Sequence, residues 1–113
     1  MGVRSSSAIR EISGSGELED ILDTEGRGVV MEFWGTWCRP CRVLRPHLER
    51  LAGDHADRWR FVAVHVDKHP NLAETWSVMG TPTLIYLHDG EERHRTSGAV
   101  TPSMIEEALN SMS

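Results

Sequence analysis

A nearly continuous apolar run from Val29 to Trp34 constrains the fold of this chain more than any other segment. Its residues are Val, Val, Met, Glu, Phe and Trp, so Glu32 is the one charged residue within it. Strands that are buried on both faces of a parallel sheet have such continuous apolar runs, whereas half-buried strands alternate apolar and polar residues. The run therefore predicts a central strand that is covered on both faces.

The segments around this run alternate between strand and helix patterns. Apolar residues recur at helical spacing from Arg39 to about His55, which predicts a long amphipathic helix. A shorter helix is predicted to begin at Pro70 and to carry Leu72, Trp76 and Met79 on one face. Strands are predicted at residues 9–12, 29–34, 61–66, 83–88 and 92–97. The order β-α-β-α-β-α-β-β-α predicts an α/β fold, with a mixed central β-sheet flanked by helices on both faces.

Length and composition favour one ordinary globular domain. The chain has 113 residues, of which 39% are hydrophobic and 26% charged, which suits a single core. Residues 1–8 are rich in serine and are predicted to form a flexible N-terminal segment. Residues 9–113 are then expected to form the single domain.

Charge and hydropathy argue against two classes of partner. Seventeen acidic and twelve basic side chains give a formal net charge of -5, which disfavours nucleic acid. No apolar run approaches the roughly 18 residues that a membrane span requires, so we expect no membrane partner. The N-terminus lacks the apolar stretch of about 7–15 residues that a secretory signal needs, so a cytoplasmic location is expected.

The two cysteines of the chain, Cys38 and Cys41, lie between the predicted central strand and the long helix. A disulfide that closes so short a loop stabilises little chain, so the pair is expected to serve chemistry or metal binding. At the N-terminus of a helix, unpaired N–H groups and the helix dipole stabilise a thiolate, so Cys38 is predicted to be the exposed, reactive thiol. Cys41 is close enough to attack a mixed disulfide at Cys38, and Pro40 stiffens the segment between them.

Several segments resemble the thioredoxin family. The sequence FWGTWCRPCR at residues 33–42 is similar to the family's active-site segment, and GTPT at 80–83 is similar to its cis-proline loop. The pairs DG at 89–90 and GA at 98–99 are similar to its later glycine positions. The resemblance extends from about Ile9 to Met112. It implies a thioredoxin fold and a thiol–disulfide oxidoreductase that reduces protein disulfides.

The resemblance also implies roles for individual residues. Cys38 is then the nucleophile, Cys41 the resolving thiol, and Pro82 follows a cis bond and lines the groove for substrate backbone. The residues expected to bind substrate are Trp37, Arg39, Pro40, Thr81, Pro82 and Gly98. The implied partners are protein disulfides and a recycling reductase such as a thioredoxin reductase. A monomer is expected, with no cofactor or metal beyond the redox-active Cys38–Cys41 disulfide.

Three positions depart from the family's common pattern. Arg39 stands where glycine is commonest, and its charge beside Cys38 is predicted to stabilise the thiolate. The buried acid beneath the cysteines, usually Asp, is Glu32, which we expect to act as a proton acceptor for Cys41. Ala63 replaces the lysine that usually faces this acid. Glu32 is therefore expected to lack a cation and to have a raised pKa.

Two alternatives remain open for the cysteine pair. One is half of a zinc site, completed by some of the six histidines, although a second Cys-x-x-Cys is missing from the sequence. The other is a non-catalytic binding or chaperone-like module on the thioredoxin fold, which uses the groove around Trp37 and Pro82 without turnover. Covalent haem attachment is excluded, because it requires His directly after Cys41 and Arg42 stands there.

Overall fold

The computed structural model describes residues 7–23 and 26–112. The strands are β1 (Ile9–Glu11), β2 (Gly28–Trp34), β3 (Trp59–His65), β4 (Thr83–His88) and β5 (Glu91–Ser97). The helices are α1 (Ser15–Leu22), α2 (Arg39–Asp54), α3 (Pro70–Thr75) and α4 (Pro102–Ser111). Strands and helices follow one another in the predicted order. Residues 1–6, most of the segment predicted to be flexible, lie outside the described residues.

The five strands form one mixed sheet in the order β1-β3-β2-β4-β5. The first three of these run parallel, whereas β4 pairs antiparallel with both β2 and β5. β2 therefore lies at the centre, as its apolar run predicts. The mixed central sheet expected from the sequence is confirmed.

The helices cover both faces of this sheet. Buried side chains of α2 and α4 pack on one face, and those of α1 and α3 pack on the other. Successive side chains of β2 point to opposite faces of the sheet, so Val30 packs with α2 and Met31 packs with α1. Glu32, two residues after Val30, therefore faces α2. This alternation determines where the buried carboxylate lies.

Several boundaries differ from the prediction, and those of β3 and α3 differ most. β3 begins at Trp59 and ends at His65, because its first two residues pair with Gly28 and Val29 of β2. α3 ends at Thr75, before two of the residues predicted for its face. The chain leaves the helix through Ser77, whose φ of 56° is left-handed, and Met79 is consequently 97% exposed.

Candidate active site

Cys38 and Cys41 lie where the sequence predicts, at the start of α2. Cys38 is the N-cap residue, and its Sγ accepts a hydrogen bond of 3.2 Å from the backbone N–H of Cys41. The two side chains form a disulfide, with Cα atoms 5.3 Å apart. The cysteine pair is therefore in its oxidised form.

The expected exposure of Cys38 is wrong for this oxidised form. Cys38 is 3% exposed and Cys41 is 2% exposed. Neither cysteine therefore protrudes in the disulfide form. Exposure in the disulfide form therefore does not distinguish the attacking thiol from the resolving one.

Trp37, which precedes the disulfide, is an exposed side chain held in a defined orientation. Its side chain is 61% exposed, and its Nε1 donates a hydrogen bond of 2.7 Å to Oδ2 of Asp67. The indole also covers Gly35, where an added Cβ would lie 2.8 Å from the ring. The aromatic face is thus presented to solvent beside the cysteines, and sequence reasoning missed Asp67 as its partner.

A buried histidine supports the loop before the cysteines. His65 is 6% exposed, and its Nδ1 accepts hydrogen bonds from the backbone N–H groups of Asp67 and Lys68. Its Nε2 therefore carries the proton and donates to Thr36 Oγ1 over 2.8 Å. No group of three or more His, Cys, Asp or Glu side chains within residues 7–23 and 26–112 is placed to hold a metal ion.

Glu32 is buried and paired, which corrects one expectation. Its side chain is 3% exposed, and its Oε1 accepts a hydrogen bond of 2.9 Å from Nη2 of Arg45 on α2. The prediction that Glu32 lacks a cation is therefore wrong: Ala63 is its register partner on β3, and the cation comes from the helix instead. The prediction of a raised pKa is confirmed, because burial outweighs Arg45 and raises the pKa of Glu32 to about 7.

The loop before β4 lies against the segment after β5. The Thr81–Pro82 peptide bond is cis, as predicted, and the carbonyl of Pro82 accepts a hydrogen bond of 2.9 Å from the N–H of Gly98. Gly98 has a φ of +85°, a conformation that favours glycine. The structure therefore brings two of the predicted substrate-binding segments together.

An apolar groove of about 390 Å³ opens between α2 and this loop pair. Pro82 and Ala99 line one side, and Pro40 and Val43 line the other, with Arg39 at the rim. Three other predicted substrate-binding residues, Trp37, Thr81 and Gly98, are not part of its lining. Half of the predicted substrate-binding set therefore lines this groove, and the other half does not.

Comparison with known proteins decides the family. A sequence model of the thioredoxin family matches residues 11–111. The chain belongs to the thioredoxin family. Thioredoxin from Acidithiobacillus ferridurans is 31% identical over 106 residues, which cover 94% of this chain and 97% of that protein. Thioredoxin M4, chloroplastic, from Arabidopsis thaliana is 35% identical over 81 residues, 72% of this chain but only 42% of that longer relative.

Solved thioredoxin structures agree with the fold. The oxidised mitochondrial thioredoxin 3 of Saccharomyces cerevisiae superposes with a TM-score of 0.82 and 29% identity, covering 92% of this chain and 95% of that chain. Family membership and the Cys38–Cys41 pair make this thioredoxin-family protein a thiol–disulfide oxidoreductase, and the non-catalytic alternative is not favoured. None of the helices in the described residues is long and apolar enough to cross a membrane.

Proposed function

We propose that this thioredoxin-family protein reduces disulfides of protein substrates, with Cys38 as nucleophile and Cys41 as resolving thiol. The observation that carries the proposal is the position of Cys38 as N-cap of α2, next to the helix's free N–H groups. Those groups and the helix dipole stabilise a thiolate at Cys38 once the disulfide is reduced. Cys41 lies within the first turn, where its sulfur can reach that of Cys38.

The proposed reaction has two exchange steps. In the first, the Cys38 thiolate attacks a substrate sulfur, the substrate S–S bond breaks, and the leaving thiolate takes a proton from water. In the second, Cys41 loses its proton and its sulfur attacks Cys38, which releases the second substrate thiolate. Two electrons pass from the cysteine pair to the substrate. The Cys38–Cys41 disulfide that remains must then be reduced by a recycling reductase, such as a thioredoxin reductase.

Substrate is proposed to dock on both sides of the disulfide. The exposed Trp37 indole supports contact with apolar side chains on one side, and the groove at Pro40 and Pro82 supports it on the other. The backbone of Thr81 is proposed to pair with an extended substrate segment, with Gly98 leaving room for it. Arg39, at the groove rim, is proposed to contact substrate through its charge. The monomeric state and the cytoplasmic location stay predictions.

Trapping tests the assignment of the two thiols. Wild type is expected to accelerate insulin reduction by dithiothreitol, and Cys38→Ser to abolish this acceleration. Cys41→Ser is expected to accumulate a covalent complex with a protein disulfide substrate, because attack proceeds and resolution does not. Complexes on Cys38→Ser in place of Cys41→Ser would reverse the roles, and turnover by Cys38→Ser would refute the proposal.

A charge in the groove tests the docking surface. Val43 lines the groove and is 62% exposed, so Val43→Asp is expected to fold normally. It is expected to lower kcat/KM for insulin about fivefold, which corresponds to about 1 kcal/mol, because a carboxylate would be desolvated by a bound apolar segment. Reduction of the small disulfide 5,5′-dithiobis(2-nitrobenzoate) should be unchanged. Ser111→Asp, on exposed α4 surface, adds the same charge as a control.

A further inference from the structure

The Glu32 carboxylate is held by one oxygen only. Oε1 accepts the hydrogen bond from Arg45, whereas Oε2 is buried and has no hydrogen-bond partner among the described residues. A buried carboxylate oxygen without a donor is costly when charged and is relieved when it takes a proton. The two oxygens are therefore inequivalent, and Oε2 is the one suited to carry a proton.

The guanidinium of Arg45 is itself held in position. Its central carbon lies 5.1 Å from the ring centroid of Trp34, over the indole face, which is a favourable cation–π arrangement. Trp34 in turn donates a hydrogen bond of 2.9 Å from Nε1 to Oε2 of Glu11. Arg45 is only 29% exposed, so this stacking restrains the side chain toward Glu32.

The same helix face carries the resolving thiol. Cys41 and Arg45 are four residues apart on α2, so their side chains are neighbours on one face. Glu32 faces α2 from the centre of the sheet and is bonded to Arg45. Arg45 therefore connects the buried carboxylate to the helix face that carries Cys41.

The cation beside Glu32 comes from α2 and not from the neighbouring strands. The register partners of Glu32 are Ala63 on β3 and Leu84 on β4, and both are uncharged. Glu11, at the end of β1, and Glu49, on α2, act on Glu32 with negative charge. Burial and these two acids raise the pKa of Glu32, and Arg45 opposes them.

We propose that Arg45 is a positioning residue for the resolving step, which holds Glu32 by Oε1 so that Oε2 accepts the proton of the Cys41 thiol. The proton moves from Cys41 Sγ to Glu32 Oε2, the Cys41 sulfur forms its bond to Cys38, and the substrate thiolate leaves. Glu32 later returns the proton to solvent. The inference rests on the proposed function, because it requires Cys41 to be the resolving thiol.

Stopped-flow kinetics with 5,5′-dithiobis(2-nitrobenzoate) separate the two steps. The reduced protein releases one thionitrobenzoate on attack by Cys38 and a second on resolution by Cys41, and both are measured from pH 5 to 9. In wild type the resolution rate is expected to rise with pH through a midpoint near the pKa of Glu32, which is about 7. Arg45→Gln is expected to move this midpoint up by about one pH unit, which slows resolution about tenfold at pH 6. The attack rate should be unchanged.

Three further variants make the result specific. Arg45→Lys keeps a charge but loses the planar stacking on Trp34, so an intermediate midpoint is expected. Ala63→Lys added to Arg45→Gln returns a cation beside Glu32 from β3 and is expected to restore the wild-type midpoint. Arg50→Gln removes an exposed arginine of α2 and should change neither step.

The outcomes separate this inference from the proposed function. The role of Arg45 would be overturned if the pH midpoint of resolution in Arg45→Gln equals that of wild type, or if the rates of attack and resolution change equally. This holds even if Cys41→Ser traps substrate. Failure of Cys41→Ser to trap substrate would instead overturn the assignment of the thiols. If Arg45→Gln does not fold, Arg45→Lys tests the proposal instead. A pH midpoint of resolution in Arg45→Lys that equals the wild-type value would count against the role of Arg45.

Discussion

Asp67 holds the Trp37 indole through a hydrogen bond of 2.7 Å from Nε1 to Oδ2. This contact joins the loop before the disulfide to the segment after β3, where His65 already binds the backbone N–H of Asp67. The orientation of the most exposed aromatic ring at the site is therefore determined from the neighbouring strand end. An indole that is fixed before substrate arrives loses less conformational entropy on binding.

Removal of the Asp67 carboxylate is expected to weaken substrate binding. Asp67→Ala leaves the Trp37 N–H without its acceptor and frees the ring, which costs about 1 kcal/mol of binding, or about fivefold in KM for insulin. The kcat should change little. Asp67→Asn keeps an acceptor oxygen and should have a nearly wild-type KM. An unchanged KM in Asp67→Ala would show that the hydrogen bond does not prepare Trp37 for binding.

Gly28, at the start of β2, is expected to resist substitution. A Cβ there would lie 2.4 Å from the ring of Trp59, which is 2% exposed and in edge contact with Tyr86. Gly28→Ala is expected to lower the free energy of unfolding by about 2 kcal/mol, because the buried ring must move. Urea denaturation measures this.

Gly53, on α2, is the matched control for the same change. An added Cβ at Gly53 meets nothing within 4 Å, and the residue is inside a helix. Gly53→Ala is therefore expected to raise the free energy of unfolding, by up to about 1 kcal/mol. If both variants were destabilised equally, the close approach of Trp59 would not explain the effect at Gly28.

Local patterns predicted the elements whose signals lie within a few residues. The run of β2 required burial on both faces, and β4 occurs at 83–88 as predicted. The position of Cys38 at the start of α2 followed from the strand and helix patterns on either side of it. The end of α3 was not predictable in this way, because the left-handed backbone at Ser77 has no glycine or asparagine to mark it.

The partners of the site residues depend on contacts between distant segments. Arg45 is one of several arginines on an amphipathic helix, and the pattern alone does not distinguish a half-buried cation from a solvated one. Its pairing with Glu32 follows from the packing of α2 on the sheet. A signal was available, since Arg45 follows Cys41 by four residues and therefore shares its helix face.

Arg39 is expected to make the disulfide slightly more oxidising. Its exposed guanidinium follows Cys38 directly, so it favours the thiolate of the reduced form, but solvent screens it. An effect of about 1 kcal/mol corresponds to about 20 mV for a two-electron couple. Arg39→Gly should therefore lower the reduction potential by about 20 mV in glutathione equilibration, whereas Arg39→Lys should not. A glycine variant that is equally or more oxidising would assign Arg39 to partner recognition alone.

The buried carboxylate is expected to make stability depend on pH. The pKa of Glu32 is raised from 4.5 to about 7, so the folded protein binds more protons than the unfolded chain between these values. Its contribution to stability is therefore present in full below about pH 4.5 and is lost as the pH rises through about 7. The loss is about 3 kcal/mol, undiminished by solvent screening because the side chain is 3% exposed.

Glu32→Gln should remove this loss, because the amide stays neutral at every pH. In the disulfide form, urea denaturation should give similar free energies of unfolding for the variant and wild type near pH 4.5. At pH 8 the variant should be more stable by about 1–3 kcal/mol. The gain falls below the full value of about 3 kcal/mol to the extent that Arg45 loses its partner, although Arg45 retains access to water. Glu107→Gln, at an exposed position of α4, should follow the wild-type curve. A constant difference between Glu32→Gln and wild type from pH 4.5 to 8 would mean that Glu32 does not titrate in this range in the folded protein.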